Sequence, residues 1–161
     1  MSNDTVSAQA RNDLLAAYNY TKGLACATNV GTADLGGLYV YPTGIPPGVY
    51  CSGSTMLVGA HIVLDGGGNA NAVWVFQIGS SLTTGADVTL TGGAQAKNVF
   101  WVPTADATIG SGTTFNGTIV TGRDATSAGS ATINGRILAG AITAGTIALN
   151  GPPSTVNVPA P

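Results

Sequence analysis

Charge is scarce in this sequence: charged residues make up 7% of 161 positions, where about a quarter is ordinary. All seven acids are Asp, and Glu does not occur. The five Lys and Arg residues are spread along the chain, which excludes the clustered cations that a phosphate backbone demands, so no nucleic-acid partner is expected. A net charge of −2 steers little toward any partner. Histidine occurs once, as His61 in "GAHIVLDGGG". Nucleophilic, acid–base and metal chemistry draw on clusters of His, acid and nucleophile, so the chain is read as no enzyme, with no metal and no cofactor. Asp65 follows His61 by four residues, but such a pair shares a strand face by parity alone, and a surface histidine is the simpler reading. Long apolar runs are missing too: none approaches the roughly eighteen residues of a membrane span.

Low charge beside 24 glycines suits disorder, yet a mean hydropathy of +0.30 and recurrent Ile, Val, Leu and Phe offer enough apolar area to fold. The length fits one domain with a real core, taken as residues 1–161. Cysteine is limited to Cys26 and Cys51, which bracket a Gly- and Pro-rich segment. They are read as a disulfide tying down that loop, the alternative being two buried thiols. A disulfide implies an oxidising, extracellular setting. "MSNDTVSAQA" has neither the basic nor the apolar region of a secretory signal, so secretion implies a leader already removed or another route.

One helix is expected, over residues 5–22. Val6, Ala10, Leu14, Ala17 and Tyr18 recur at helical spacing, Asp4 or Thr5 can cap the start, and Gly23 stands where a left-handed C′ residue belongs. Residues 24–51, punctuated by Gly and Pro, read as a cap or loop region. Beyond them, short β-prone runs cut by Gly and Asn continue to residue 151, and residues 152–161 read as an extended tail. "DGGGNANAVW" lacks the further acids of a calcium loop and the Lys of a phosphate loop, so it reads as a tight turn. Trp74, Phe76, Phe100 and Trp101 sit in strongly apolar strands and are assigned to packing.

Internal similarity decides the fold class. "GTIVTG" at 117–122 returns as "GRILAG" at 135–140, and "ATIG" at 107–110 returns as "ATIN" at 131–134. Strands and Gly corners at a spacing near twenty suggest the coils of a parallel β-solenoid, with a β-sandwich as the alternative. If Ile109, Ile119, Ile133 and Ile137 point inward, alternation turns Thr108, Thr118, Thr132 and Arg136 outward. The coils then offer hydroxyls and methyls on flat walls.

Three long stretches, "GGLYVYPTGIPPGVYC", "DGGGNANAVWVFQIGSSLTTGADVTLTGGAQAKNVFWV", and "TTFNGTIVTG" followed by "ATINGRILAGAITAGTIAL", resemble the microbial ice-binding proteins of the DUF3494 type, in order and nearly without gaps. The resemblance runs from Asp13 to Leu149. It implies an all-β fold with one helix: an irregular, discontinuous, right-handed β-solenoid of triangular section, with a single α-helix packed alongside. It also implies a partner, the ice surface, bound without chemistry through a flat face of Thr, Ser and Ala, so that crystal growth and recrystallisation are inhibited. Strand alternation selects Thr83, Thr89, Thr91, Thr108, Thr118, Thr132, Thr143 and Thr146 for that face, leaving open which wall it is.

Two departures from the family pattern raise an alternative. Relatives carry a β-rich segment of one to two coils before the helix, where this chain has "MSNDTVSAQA", which leaves strand edges open. Arg123 and Asp124 also bring two charges near a candidate wall. The alternative is a self-associating extracellular filament, coat or adhesion subunit, joined through the open solenoid edge or the C-terminal tail. Carbohydrate binding on a solenoid face is weaker, because the acid clusters are missing.

Overall fold

The computed structural model describes residues 4–32 and 34–160. Helix α1 (Asp4–Gly23) leads into a solenoid, whose partial first coil holds β1 (Thr28–Asn29), the one-turn helix α2 (Leu35–Leu38) and β2 (Gly44–Ile45). The next two coils are β3 (Gly48–Ser52), β4 (Met56–Val58) and β5 (Ile62–Asp65), then β6 (Trp74–Ile78), β7 (Leu82–Thr84) and β8 (Val88–Thr91). A 3-10 turn at Ala96–Asn98 precedes β9 (Val99–Pro103), β10 (Ala107–Ile109) and β11 (Thr114–Asn116). The last two coils are β12 (Thr118–Val120), β13 (Ala125–Ser127) and β14 (Thr132–Asn134), then β15 (Ile137–Leu138), β16 (Ile147–Leu149) and β17 (Thr155–Asn157).

The first strands of the coils form a parallel six-stranded sheet, β1-β3-β6-β9-β12-β15, and the second strands a five-stranded one, β4-β7-β10-β13-β16. The third side is split into β2-β5-β8 and β11-β14-β17. No ladder joins β8 to β11; side chains bridge them instead, with Thr114 N–H donating to Asp87 Oδ1 at 2.7 Å and Asn116 Nδ2 donating to the Val88 carbonyl at 2.7 Å.

Several boundaries differ from the sequence reading. Residues 24–51 are no mere cap: β1 and β3 already pair in the six-stranded sheet, because Thr28 and Tyr50 stand in register. The tail carries β17, whose Val156 stacks on Ile133, so its apolar residue completes a coil. Helix α2 joins α1, capped by Asp34, whose Oδ1 accepts the Gly36 N–H. Within each side the described strands stack in chain order. The repeat at 117–122 and 135–140 is a true stack, Ile119 on Ile137. The repeat of "ATI" is not, since Thr108 pairs with Thr126 on one side while Thr132 pairs with Thr114 on another.

Inward positions build one continuous core. Tyr50, Phe76, Trp101, Ile119 and Ile137 follow one another in register, and the rings of Phe76 and Trp101 stack at 3.9 Å. Burying such large aromatic areas gives the coil stack much of its stability. Each indole N–H finds a carbonyl, Ile45 for Trp74 and Asn116 for Trp101. Gly117, at φ +127°, lies against the Trp101 ring where a Cβ has no room, which lets the chain turn a corner directly over the indole.

Helix α1 lies on the outer face of the six-stranded sheet. Tyr18 and Leu14 pack with Val75, Val102 and Val120, while Val6, at the other end of the expected stripe, is 68% exposed. Gly23 ends the helix without a left-handed turn. The sheet caps it instead: Gln77 Nε2 donates to the carbonyls of Thr21, Lys22 and Leu24. The Cys26–Cys51 disulfide then ties the segment after the helix to β3.

Candidate functional site

The three sides differ in what they leave open. The six-stranded sheet lies under α1, and its outward residues are largely buried there. The split side is interrupted between β8 and β11. The five-stranded side has no break and no helix across its face; α2 adjoins only its first strand, β4, where Asp34 bridges to Leu57. Its three-residue strands turn only the middle residue outward, and β4, β7 and β10 alternate buried, exposed, buried.

The register of these strands generates a central row of Leu57, Thr83, Thr108, Thr126 and Ala148. Strand spacing places neighbours in the row about 4.8 Å apart. Two residues earlier on each strand, parity brings Thr55, Ser81, Asp106, Asp124 and Thr146 to the same face; two later, Gly59, Gly85, Gly110, Ala128 and Asn150. Thirteen of these fifteen positions are uncharged, and every one but Leu57 and Asn150 is small or short. From β4 to β13, buried residues on both flanks fix the backbone beneath the row. Such a surface can order water between methyl groups and hydroxyls with little reorganisation.

The eight threonines selected from the sequence do not share one wall. Thr83, Thr108 and Thr146 lie on the five-stranded side. Thr89, Thr91 and Thr132 belong to the split side, where Thr89 Oγ1 is engaged by His61 Nε2 at 2.9 Å. Thr118 points outward from the six-stranded sheet, in register with Phe100, and is only 4% exposed. Thr143 sits in the exposed connection between β15 and β16. Alternation told inside from outside but not one outer wall from another. On the five-stranded side Thr126, Thr55 and Ser81 join Thr83, Thr108 and Thr146, residues the sequence reading does not select; the triplets "LTT", "ATI" and "ATS" each put a Thr at the centre of its strands, but "ATI" recurs at 131–133 on another side.

The two acids of this face are both engaged. Asp106 Oδ2 pairs with Arg123 Nη2 at 3.2 Å, and its Oδ1 accepts the Asp124 N–H at 3.2 Å. Asp124 Oδ1 accepts the Thr146 N–H at 2.7 Å. His61 is stacked on Tyr41, with ring centres 4.5 Å apart. Among the described residues no group of three or more His, Cys, Asp or Glu could hold a metal ion, and no helix is long and apolar enough to cross a membrane.

Comparison with known proteins places this geometry. The model of the family described as ice-binding-like matches residues 1–150. An ice-binding protein of Nostoc sp. (strain HG1) is 37% identical over 120 residues, 74% of this chain and 43% of that protein, so the chain spans less than half the Nostoc sequence. The crystal structure of the ice-binding protein from the Antarctic ascomycete Antarctomyces psychrotrophicus is similar at a TM-score of 0.85 and 34% identity, covering 99% of this chain and 74% of that one. An ice binding protein from an Antarctic biological consortium follows at 0.79 and 30%, covering 96% and 67%. With a family match over most of its length and these relatives beside it, the chain belongs to the ice-binding-like family.

Proposed function

We propose that this protein binds ice through the five-stranded side, with Thr83, Thr108 and Thr126 at the centre of the contact, and thereby inhibits ice growth and recrystallisation. The observation that carries the reading is the central row, set in register by continuous strand pairing on the side with no break and no helix across its face. Family membership supports ice as the partner. No bond is made or broken: adsorption rests on a rigid surface matching ordered water, repeated over many weak contacts. The disulfide suits work outside the cell, where ice forms, and secretion is part of the reading. The test is a crystal-shaping and recrystallisation assay on the purified protein. Faceted crystals and suppressed coarsening are expected; round crystals that coarsen as in buffer refute the proposal.

One feature favours self-association as a second activity. In the last coil Ile147 and Leu149, whose counterparts in β13 are buried, are 49% and 47% exposed. Beside them Leu138 is exposed, and no strand among the described residues pairs with the outer edges of β15, β16 and β17. An apolar coil end with unpaired strand edges is a ready template for pairing, and the Arg136 at its border is tied to the Pro159 carbonyl. The first coil is closed differently, with Leu35 and Ile45 fully buried, so contact between two last coils is favoured over an endless head-to-tail filament. Sedimentation over a wide concentration range checks it: a dimer weakened by Leu149→Lys supports it, and a monomer throughout refutes it.

A further inference from the structure

The proposed ice-binding side carries one exposed ion pair, and it falls inside the face. Asp106 and Asp124 occupy the third and fourth places of the row that begins Thr55, Ser81 and ends Thr146. Arg123 reaches across to Asp106, and the two side chains are 55% and 35% exposed. An exposed pair of this kind adds little to stability. It has a stronger effect on water, because a guanidinium and a carboxylate each hold a hydration shell directed by charge, which does not match the neutral hydroxyl and methyl pattern of the neighbouring row. Both acids also accept coil-to-coil backbone N–H groups through Oδ1. That bond needs an acceptor oxygen but no charge, since an amide oxygen would serve equally.

We infer that the Arg123–Asp106 pair limits the ice-contacting area, cutting the upstream row at its third place and confining adsorption to the central and downstream rows with Thr55 and Ser81. The pair is thus a repulsive element within an otherwise neutral surface, tuning how strongly and on which crystal planes the protein adsorbs. The inference rests on the assignment of the five-stranded side to ice, and the experiment separates the two.

Asp106→Asn combined with Arg123→Thr removes both charges and keeps the acceptor for the Asp124 N–H. Ser81→Asp and Ser81→Asn form a nearly isosteric couple that adds, or does not add, a charge to the same row one coil earlier. Thermal hysteresis and the ice planes coated by fluorescent protein are measured for each, with thermal unfolding on the same samples and Thr108→Tyr as the control. The double variant is expected to raise hysteresis and coat additional planes, and Ser81→Asp to lose activity that Ser81→Asn keeps. Unchanged or lower activity in a folded double variant, with both Ser81 variants alike and Thr108→Tyr still abolishing adsorption, overturns the limiting role alone. If Thr108→Tyr leaves adsorption intact, the assignment of the face fails and the inference with it. Should the double variant not fold, the Ser81 couple decides by itself.

Discussion

At the scale of single residues, Asp at the coil corners has a geometric reason. Asp34, Asp87, Asp106 and Asp124 each accept a backbone N–H from the next coil, those of Gly59, Thr114, Asp124 and Thr146. At a tight corner the short side chain reaches this donor with two rotatable bonds, whereas Glu overshoots and loses more rotamer freedom. Asp87→Ala is therefore expected to cost about 1–2 kcal/mol through the unpaired Thr114 N–H, and Asp87→Asn much less. Urea unfolding measures both, and ice activity stays unchanged because Asp87 lies off the proposed face. Asn116, Asn134 and Asn157 act likewise as an amide ladder, with links of 3.1 and 2.9 Å. Tyr50 supplies a pH dependence. Burial, then the neighbouring Tyr39, pushes its hydroxyl up to about 12, while in the unfolded chain a tyrosine ionises near about 10. The folded state thus keeps a proton the unfolded state gives up. The resulting stability is complete below the unfolded value and is lost as pH rises through the folded one. Unfolding measured across this alkaline window should show a steeper loss for the natural protein than for Tyr50→Phe, and equal slopes would contradict the assignment.

At the scale of elements, strands of two to five residues have no independent stability, and they persist because each coil pairs with the coils beside it. Helix α1 depends on the sheet in the same way. Gln77 closes its C-terminus from below, and Lys22 Nζ donates to the Ile78 carbonyl at 2.8 Å while burial lowers the Lys22 pKa. Gln77→Ala leaves the Thr21 and Lys22 carbonyls of the helix, and that of Leu24 just beyond it, without this donor, and a loss of about 1–3 kcal/mol is expected. Thermal unfolding followed by circular dichroism tests it; an unchanged midpoint would show that water caps the helix equally well. The helix was legible from its apolar spacing to within a residue at each end, since Leu14 and Tyr18 do face the sheet. Its cap was not, because Gln77 lies more than fifty residues from the carbonyls it serves. The first coil was hidden for a related reason: β1 and β2 have two residues each, too few for alternation to register, and only long-range pairing makes them strands. The shared "ATI" misled because coil steps differ, twenty-five residues from Phe76 to Trp101 but eighteen from Trp101 to Ile119, so equal text can fall on different sides.

At the scale of the whole molecule, three sides built by one repeating turn are given to three tasks. One side docks the helix, one accommodates the break between β8 and β11, and one remains a continuous exposed sheet. Local sequence announces the solenoid and the outward threonines, because both follow from alternation and Gly corners. It does not announce which threonines share a wall, since that depends on the number of residues spent at each corner. Thr118 illustrates this: it is outward by parity, yet buried. The most direct test of the ice-binding side compares Thr108→Tyr with Thr132→Tyr in an ice recrystallisation assay on purified, folded protein. The two substitutions add the same bulk to different sides. Thr108→Tyr is expected to abolish inhibition while Thr132→Tyr leaves it intact. The reverse pattern, or full activity in both, would contradict the assignment of the five-stranded side.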